Sequence, residues 1–320
     1  MNEYPPNYHY DVYASPHDAP EPVVAELVPP PPSPPRPRRP NPLFKFLPPI
    51  LFVATCLSTF FVGCANALGE SRTLSEVAHR GLAYSACLMT ILICHEMGHY
   101  LQARRYRVPA SLPFFIPVPL PPIGTMGAVI GMQPGVGDRR AIFDIGITGP
   151  LAGLVPTLIF CVVGMKHSSV EAITGPVQQI GLPLLMQFLA SFLLGPVPDG
   201  YGVILNPMLF AAWVGLLITS INLIPIGQLD GGHILYALLR KKAHLVASWL
   251  LKAAVAAVVV GAVFFRYPGW IVMVLLLLAM GPHHPPTADD NVPLGPTRVV
   301  LGWLTLAFVL VGFTPMPFKM

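Results

Sequence analysis

The residues with the clearest chemical potential are His95, Glu96 and His99, which sit in the run ICHEMGHYLQARRY. On a helix, side chains four residues apart share a face, so the two imidazoles of this HExxH pattern can grip one metal ion. Neutral imidazole suits zinc, and the glutamate beside the first histidine is placed to take a proton from a water at that metal. Five-residue patterns this loose also arise by chance. Here, however, two imidazoles and a carboxylate abut a nearly unbroken apolar run, and polar groups at membrane depth signal function by default.

A catalytic zinc takes three protein ligands and keeps one position open. The third ligand is expected to be a further polar residue at matching depth, and NLIPIGQLDGGH at 222–233 supplies one. There Asp230 is read as closing an apolar helix, with Asn222 deeper and with Pro225 and Gly227 interrupting the helix and freeing backbone groups. An aspartate at a helix end is ordinarily a cap or a solvated charge; its company here favours chemistry. His233, three residues on, is a competing ligand. The set taken forward is one Zn2+ per chain held by His95, His99 and Asp230, with Glu96 as the base.

These residues need apolar elements to hold them. The chain has 320 residues, 53% hydrophobic and only 11% charged, against about 25% charged in soluble domains. Judged against about 20 apolar residues per crossing, candidate spans fall at 43–64, 83–103, 141–165, 201–224, 244–265, 268–281 and 297–314, the sixth being short. The fold class is thus an all-α multi-spanning membrane protein of six to seven transmembrane helices. Residues 108–137 are apolar but carry seven prolines, which excludes a regular spanning helix. A bare extended segment cannot face lipid either. A small re-entrant or interfacial hairpin tucked against protein is expected there, with Thr125–Met132 as an edge on which an unwound substrate could pair; a structural plug is the competing reading. The net charge of +4 is small and gives no support to nucleic-acid binding. Cys56, Cys64, Cys87, Cys94 and Cys161 lie in or beside apolar runs without CxxC spacing, so free thiols are expected.

Charge orients the spans. Arg36, Arg38, Arg39 and Lys45 precede the first, Arg104, Arg105 and Arg107 follow the second, Arg139 and Arg140 precede the third, and Arg240, Lys241 and Lys242 follow the fourth. All place the N-terminus in the cytoplasm. The near-neutral loop at 65–82 (Glu70, Arg72, Glu76, Arg80) suits the far side. Asp230 can meet HEMGH only where span four runs inward, so residues 178–195, with Gln178, Gln179, Pro183 and Gln187, are expected not to cross. Residues 1–42, which include PPPPSPPRPRRPNP at 29–42, form a separate disordered, polyproline-like tail. The simple reading is a solvated spacer; the functional one is a docking site for a proline-binding partner. The transmembrane unit is 43–320. No secretory signal peptide is apparent ahead of the first apolar run. Gly146, Gly149 and Gly153 on span three suit close helix packing and shaping of the site equally well. Asp144 reads as an interfacial residue without assigned chemistry.

HEMGH at 95–99, FDIGITGPLAG at 143–153 and NLIPIGQLDGG at 222–232 together resemble the site-2 protease family of intramembrane metalloproteases, peptidase family M50. PFFIP at 113–117, GTMGAVIGM at 124–132, HPPT at 284–287 and GW at 302–303 are similar to its bacterial and plastid, EGY-like subgroup. The resemblance covers roughly 44–315, and no PDZ-like insertion is seen between the motifs. It implies that His95, His99 and Asp230 bind zinc, that Glu96 is the base, and that Asn222 aids substrate or transition-state binding. It implies membrane-spanning protein or peptide substrates, a lipid environment, and a multi-pass location in a cell membrane, the bacterial inner membrane being the expectation. Two rivals stay open: a polytopic transporter, which also places His, Asp and Asn at midplane depth, and a non-cleaving protease-like scaffold.

Overall fold

The computed structural model describes residues 45–68, 73–173 and 180–318. The proline-rich residues 1–42, and Glu70, Arg72, Gln178 and Gln179, lie outside them. Among the described residues the chain is mostly helical, with nine helices and two small two-stranded sheets: α1 Leu47–Ala67, α2 Leu74–Arg105, β1 Phe114–Pro117, β2 Thr125–Val129, α3 Arg139–Lys166, β3 Val170–Ala172, α4 Leu184–Leu194, β4 Tyr201–Val203, α5 Pro207–Asn222, α6 Asp230–Leu239, α7 Lys242–Phe264, α8 Ile271–Met280 and α9 Pro296–Gly312.

Four helices, α1, α2, α3 and α7, are long and apolar enough to cross a membrane, and they match four of the seven expected spans. The other three correspond to α5, α8 and α9, of 16, 10 and 17 residues. The fourth span begins later than expected because residues 201–203 form β4, paired with β3. The helix proper starts where Asn206 Oδ1 accepts from Leu209 N at 2.9 Å and Pro207 supplies a pre-set φ at the first turn. Within the stretch 178–195, α4 has 11 residues, about 16 Å at 1.5 Å per residue and too short to cross. Helix starts are otherwise conventional: Thr73 caps α2 and Asp138 caps α3 through side-chain oxygens.

Helix α5 is the hub. Its residues 209–217 are buried on every side, against Tyr84, Leu88 and Leu92 of α2, Cys161 and Met165 of α3, and Met186 of α4. Trp213, fully buried, stacks with Phe210 and donates Nε1–H to Gly181 O at 2.8 Å. The outer faces are apolar instead of charged: Ile50, Val53, Leu57 and Phe61 on α1, Phe188 and Phe192 on α4, and Val259, Val263 and Phe264 on α7 are all exposed. An apolar surface of that extent suits lipid, not water. All five cysteines are free.

The proline-rich segment forms the expected hairpin. β1 and β2 pair antiparallel, with Phe114 opposite Val129 and Phe115 opposite Ala128, and the register shifts before Pro117. Side chains satisfy the carbonyls of its turn: Asn66 Nδ2 donates to Pro122 O at 2.9 Å, Tyr84 Oη to Ile123 O at 2.6 Å and Ser58 Oγ to Gly124 O at 2.6 Å. Irregular backbone in an apolar surround needs such partners. Tyr84→Phe removes one of them, and the expected result is a loss of about 1 kcal/mol, read as a lower unfolding midpoint in mild detergent.

Candidate metal centre

Three side chains from two helices converge. His95 Nε2 lies 3.1 Å from Asp230 Oδ2, His99 Nε2 lies 3.1 Å from Asp230 Oδ1, and the two Nε2 atoms are 3.2 Å apart. Among the described residues this is the one group of three His, Cys, Asp or Glu side chains that could hold a metal ion. Both histidines are buried, and the Asp230 side chain is 14% exposed. The spacing fits a tetrahedral ion: ligands about 2.0 Å from a centre are about 3.3 Å from one another. His99 Nδ1 is bonded to the Ile145 carbonyl at 2.7 Å. A carbonyl only accepts, so the proton sits on Nδ1 and Nε2 presents a lone pair to the centre.

The local sequence makes this geometry possible. Helix α5 ends at Asn222, and Asp230 opens α6 instead of closing α5 as the sequence reading had it, because Pro225 and Gly227 turn the chain between them. The turn folds back so tightly that a Cβ at Gly231 would come within 2.0 Å of Leu223 O, and one at Gly232 within 2.3 Å of Gly227 O. The two glycines after the aspartate thus serve the turn that aims it. On α3, a Cβ at Gly149 would lie 2.0 Å from His99 Nε2 and one at Gly153 3.0 Å from His95 Cβ. Packing and site-shaping are one function there: the histidine rings occupy the space where α3 lacks side chains. Gly98, inside HEMGH, brings the two backbones together, since its absent Cβ would meet Thr148 O at 2.5 Å.

Glu96 is 4% exposed and makes no hydrogen bond within the described residues. His95, His99 and Asp230 are the charged or chargeable groups within its electrostatic reach. Asn222 ends α5, half-buried, its amide likewise without a hydrogen-bond partner among the described residues. His233, the competing ligand, is not part of the converging group; its Nδ1 is engaged by His284 at 2.6 Å.

With this geometry in place, comparison with known proteins is decisive. Residues 83–265 match the model of Peptidase family M50. The chain belongs to peptidase family M50. It is 32% identical over 276 residues to the probable zinc metalloprotease EGY2, chloroplastic, of Arabidopsis thaliana, covering 83% of this chain and 48% of that protein. It is 35% identical over 190 residues to the probable zinc metalloprotease EGY1, chloroplastic, of Oryza sativa subsp. japonica, covering 56% of this chain and 32% of that protein. The chain spans about half the length of the curated relatives it matches over most of its own length. No solved structure matches it.

The M50 match contains His95, Glu96, His99, Asn222 and Asp230 but ends at Phe265. Two features that bear on the M50 site were not legible in the sequence. Asp144 is held by Arg298 of α9, Nε to Oδ1 at 2.8 Å and a second guanidinium nitrogen to Oδ2 at 2.9 Å, and by the Tyr106 hydroxyl. It is the residue before Ile145, whose carbonyl orients His99, so Arg298, from outside the match, anchors the helical turn that carries that carbonyl. Residues 281–295 are the second feature. They are lashed to the residues leading into α3, to its first turn and to α6 by Ala288 N to Gly137 O at 2.8 Å, Arg139 N to Asp289 O at 3.1 Å, Arg140 Nε to Pro293 O at 2.6 Å and Tyr236 Oη to Asp290 Oδ2 at 3.0 Å.

Proposed function

We propose that this chain is a zinc metalloprotease that hydrolyses peptide bonds of membrane-embedded proteins or peptides. The convergence of His95, His99 and Asp230 carries this reading, and the relatives' names as zinc metalloproteases support zinc as the ion. Zinc held there would supply Lewis-acid polarisation of a scissile carbonyl and of water. The chain's own residues do the rest. His99, oriented by Ile145 O, and His95 present lone pairs, and Asp230 supplies the balancing charge. Glu96 takes the proton from the attacking water and returns it to the leaving amine. Asn222 donates from its amide to the oxygen on which charge develops.

A substrate helix hides its peptide bonds and must unwind to be cut. β2 has no second strand partner among the described residues, and Gly127 lies beside Ile218, one turn before Asn222. β2 is therefore the edge on which an extended substrate would pair. Within this reading α5 and α9 cross the bilayer with α1, α2, α3 and α7, the hairpin is re-entrant, and the N-terminus faces the cytoplasm, as the basic clusters support. Residues 1–42 serve as a spacer ahead of the 43–320 unit, docking of a proline-binding partner on PPPPSPPRPRRPNP being the lesser alternative. A bacterial inner membrane rests on the subgroup resemblance alone, while the relatives are chloroplastic.

Cleavage of a reconstituted membrane-embedded peptide, with and without a chelator, is the test. Cleavage lost on chelation and restored by zinc is the expected result. Chelator-insensitive cleavage, or metal-coupled solute flux without cleavage, contradicts it and favours the transporter.

A further inference from the structure

His233 is used by nothing described so far, yet its surroundings are specific. It lies three residues after Asp230 on α6, a spacing that puts both on one helix face. Its Cβ packs where α3 lacks a side chain, 2.9 Å from the position a Cβ at Gly146 would take. Asp230 and His99 are both within its electrostatic reach. The ring therefore borders the metal centre without contributing to it.

A chain of hydrogen bonds fixes which nitrogen carries the proton. His284 Nδ1 bonds the Pro285 carbonyl, which can only accept, so that nitrogen is protonated and His284 Nε2 is left as an acceptor. His284 Nε2 is 2.6 Å from His233 Nδ1, so the proton in that bond belongs to His233. With Nδ1 protonated, His233 Nε2 bears a lone pair, and it makes no hydrogen bond within the described residues. His284 is itself immobilised: it is buried and stacks on Tyr236 with ring centroids 4.4 Å apart and planes 16° from parallel, while Tyr236 is tied to Asp290. The arrangement thus spends three residues from two segments on holding one imidazole in one tautomer. His233 is part-exposed and its Nε2 is not among the buried unpartnered atoms, so a donor entering the site can reach that lone pair.

We propose that His233 is a substrate-positioning residue, locked by His284 so that its Nε2 accepts a hydrogen bond from a backbone N–H of the unwound substrate. This rests on the protease reading above. Unwinding exposes peptide donors that need acceptors in a site from which bulk water is excluded, and the metal ligands, all acceptors turned toward one centre, cannot serve. His284 acts only through His233.

Two measurements test this. Nitrogen-15 spectra of the full chain in lipid nanodiscs, with histidines assigned by substitution, are expected to give the Nδ1–H tautomer at both 233 and 284. An Nε2–H tautomer at His233 overturns the proposal whatever the enzyme does. Second, affinity is measured for a synthetic apolar transmembrane peptide with a central Gly-Pro break, using the Glu96→Gln chain so that nothing is cut. His233→Phe and His284→Leu are each expected to weaken binding by about 10-fold with zinc content unchanged. His284→Gln, whose amide can accept from His233 and donate to Pro285 O, is expected to stay within about 3-fold of the parent. Equal weakening by Gln and Leu at 284, or no weakening by Phe at 233, overturns the positioning role. Failure of the Glu96→Gln parent to bind the peptide at all overturns the protease reading, and the substrate half of this proposal with it.

Discussion

Glu96→Gln is expected to lower the turnover of a membrane-embedded substrate by at least about 1,000-fold while zinc stays bound. Positioned acid–base groups contribute about 100- to 10,000-fold, and here one carboxylate is asked to do both the taking and the returning of the proton. Glutamine matches glutamate in shape, so the buried position stays filled. Glu96 makes no hydrogen bond within the described residues, so no structural bond is broken by the exchange. The proposed ligand atoms belong to His95, His99 and Asp230, and none of them is held by Glu96. The loss is therefore expected in kcat with KM little changed. Parallel cleavage assays and metal analysis of the purified variant check this; undiminished cleavage removes Glu96 as the base.

Gly149→Ala is expected to lose the metal, against the direction helix propensity predicts. In a helix interior alanine is favoured over glycine by about 0.5–1 kcal/mol. At Gly149 the new methyl carbon would lie 2.0 Å from His99 Nε2 and 2.3 Å from its Cδ2 and Cε1. The ring cannot swing aside without giving up its bond to Ile145 O, and α2 and α3 are already in backbone contact at Gly98. Displacing the groups that orient a ligand costs about 10- to 100-fold in metal affinity. Displacing the ligand itself is expected to cost at least about 100-fold, with activity falling in step. Leu151→Ala, two residues on and 38% exposed on the outer face, is the control and is expected to bind zinc normally. Zinc affinity by chelator competition reads both.

Much of the site was legible in the sequence because it is built from short patterns. HEMGH and LDGG carry the three converging side chains, and long apolar runs marked α1, α2, α3 and α7. The prolines of 108–137 excluded a helix, and a hairpin is what that backbone forms. The start of α5 was signalled but missed: Asn206 followed by Pro207 is a cap and a first turn, and the apolar residues from Tyr201 onward masked it. That Asp230 opens α6 depends on how closely Gly231 and Gly232 approach Leu223 and Gly227, which no spacing conveys. For Gly149 and Gly153 the spacing offered packing and site-shaping as equal alternatives; that the two are one function could not be read from it, since that requires knowing which helix faces which. Asp144 with Arg298, and His233 with His284, are pairs 154 and 51 residues apart. Each member reads alone as an ordinary polar residue near a helix end, and only the tertiary fold joins them.

The most direct test of the convergence is zinc binding by the purified chain and its Asp230→Ala variant, with X-ray absorption to report the ligand atoms. The prediction is one zinc per chain surrounded by nitrogen and oxygen, an affinity at least about 100-fold lower in Asp230→Ala, and no such loss in Glu96→Gln. Zinc held equally well by Asp230→Ala, or sulfur among its ligands, would contradict it.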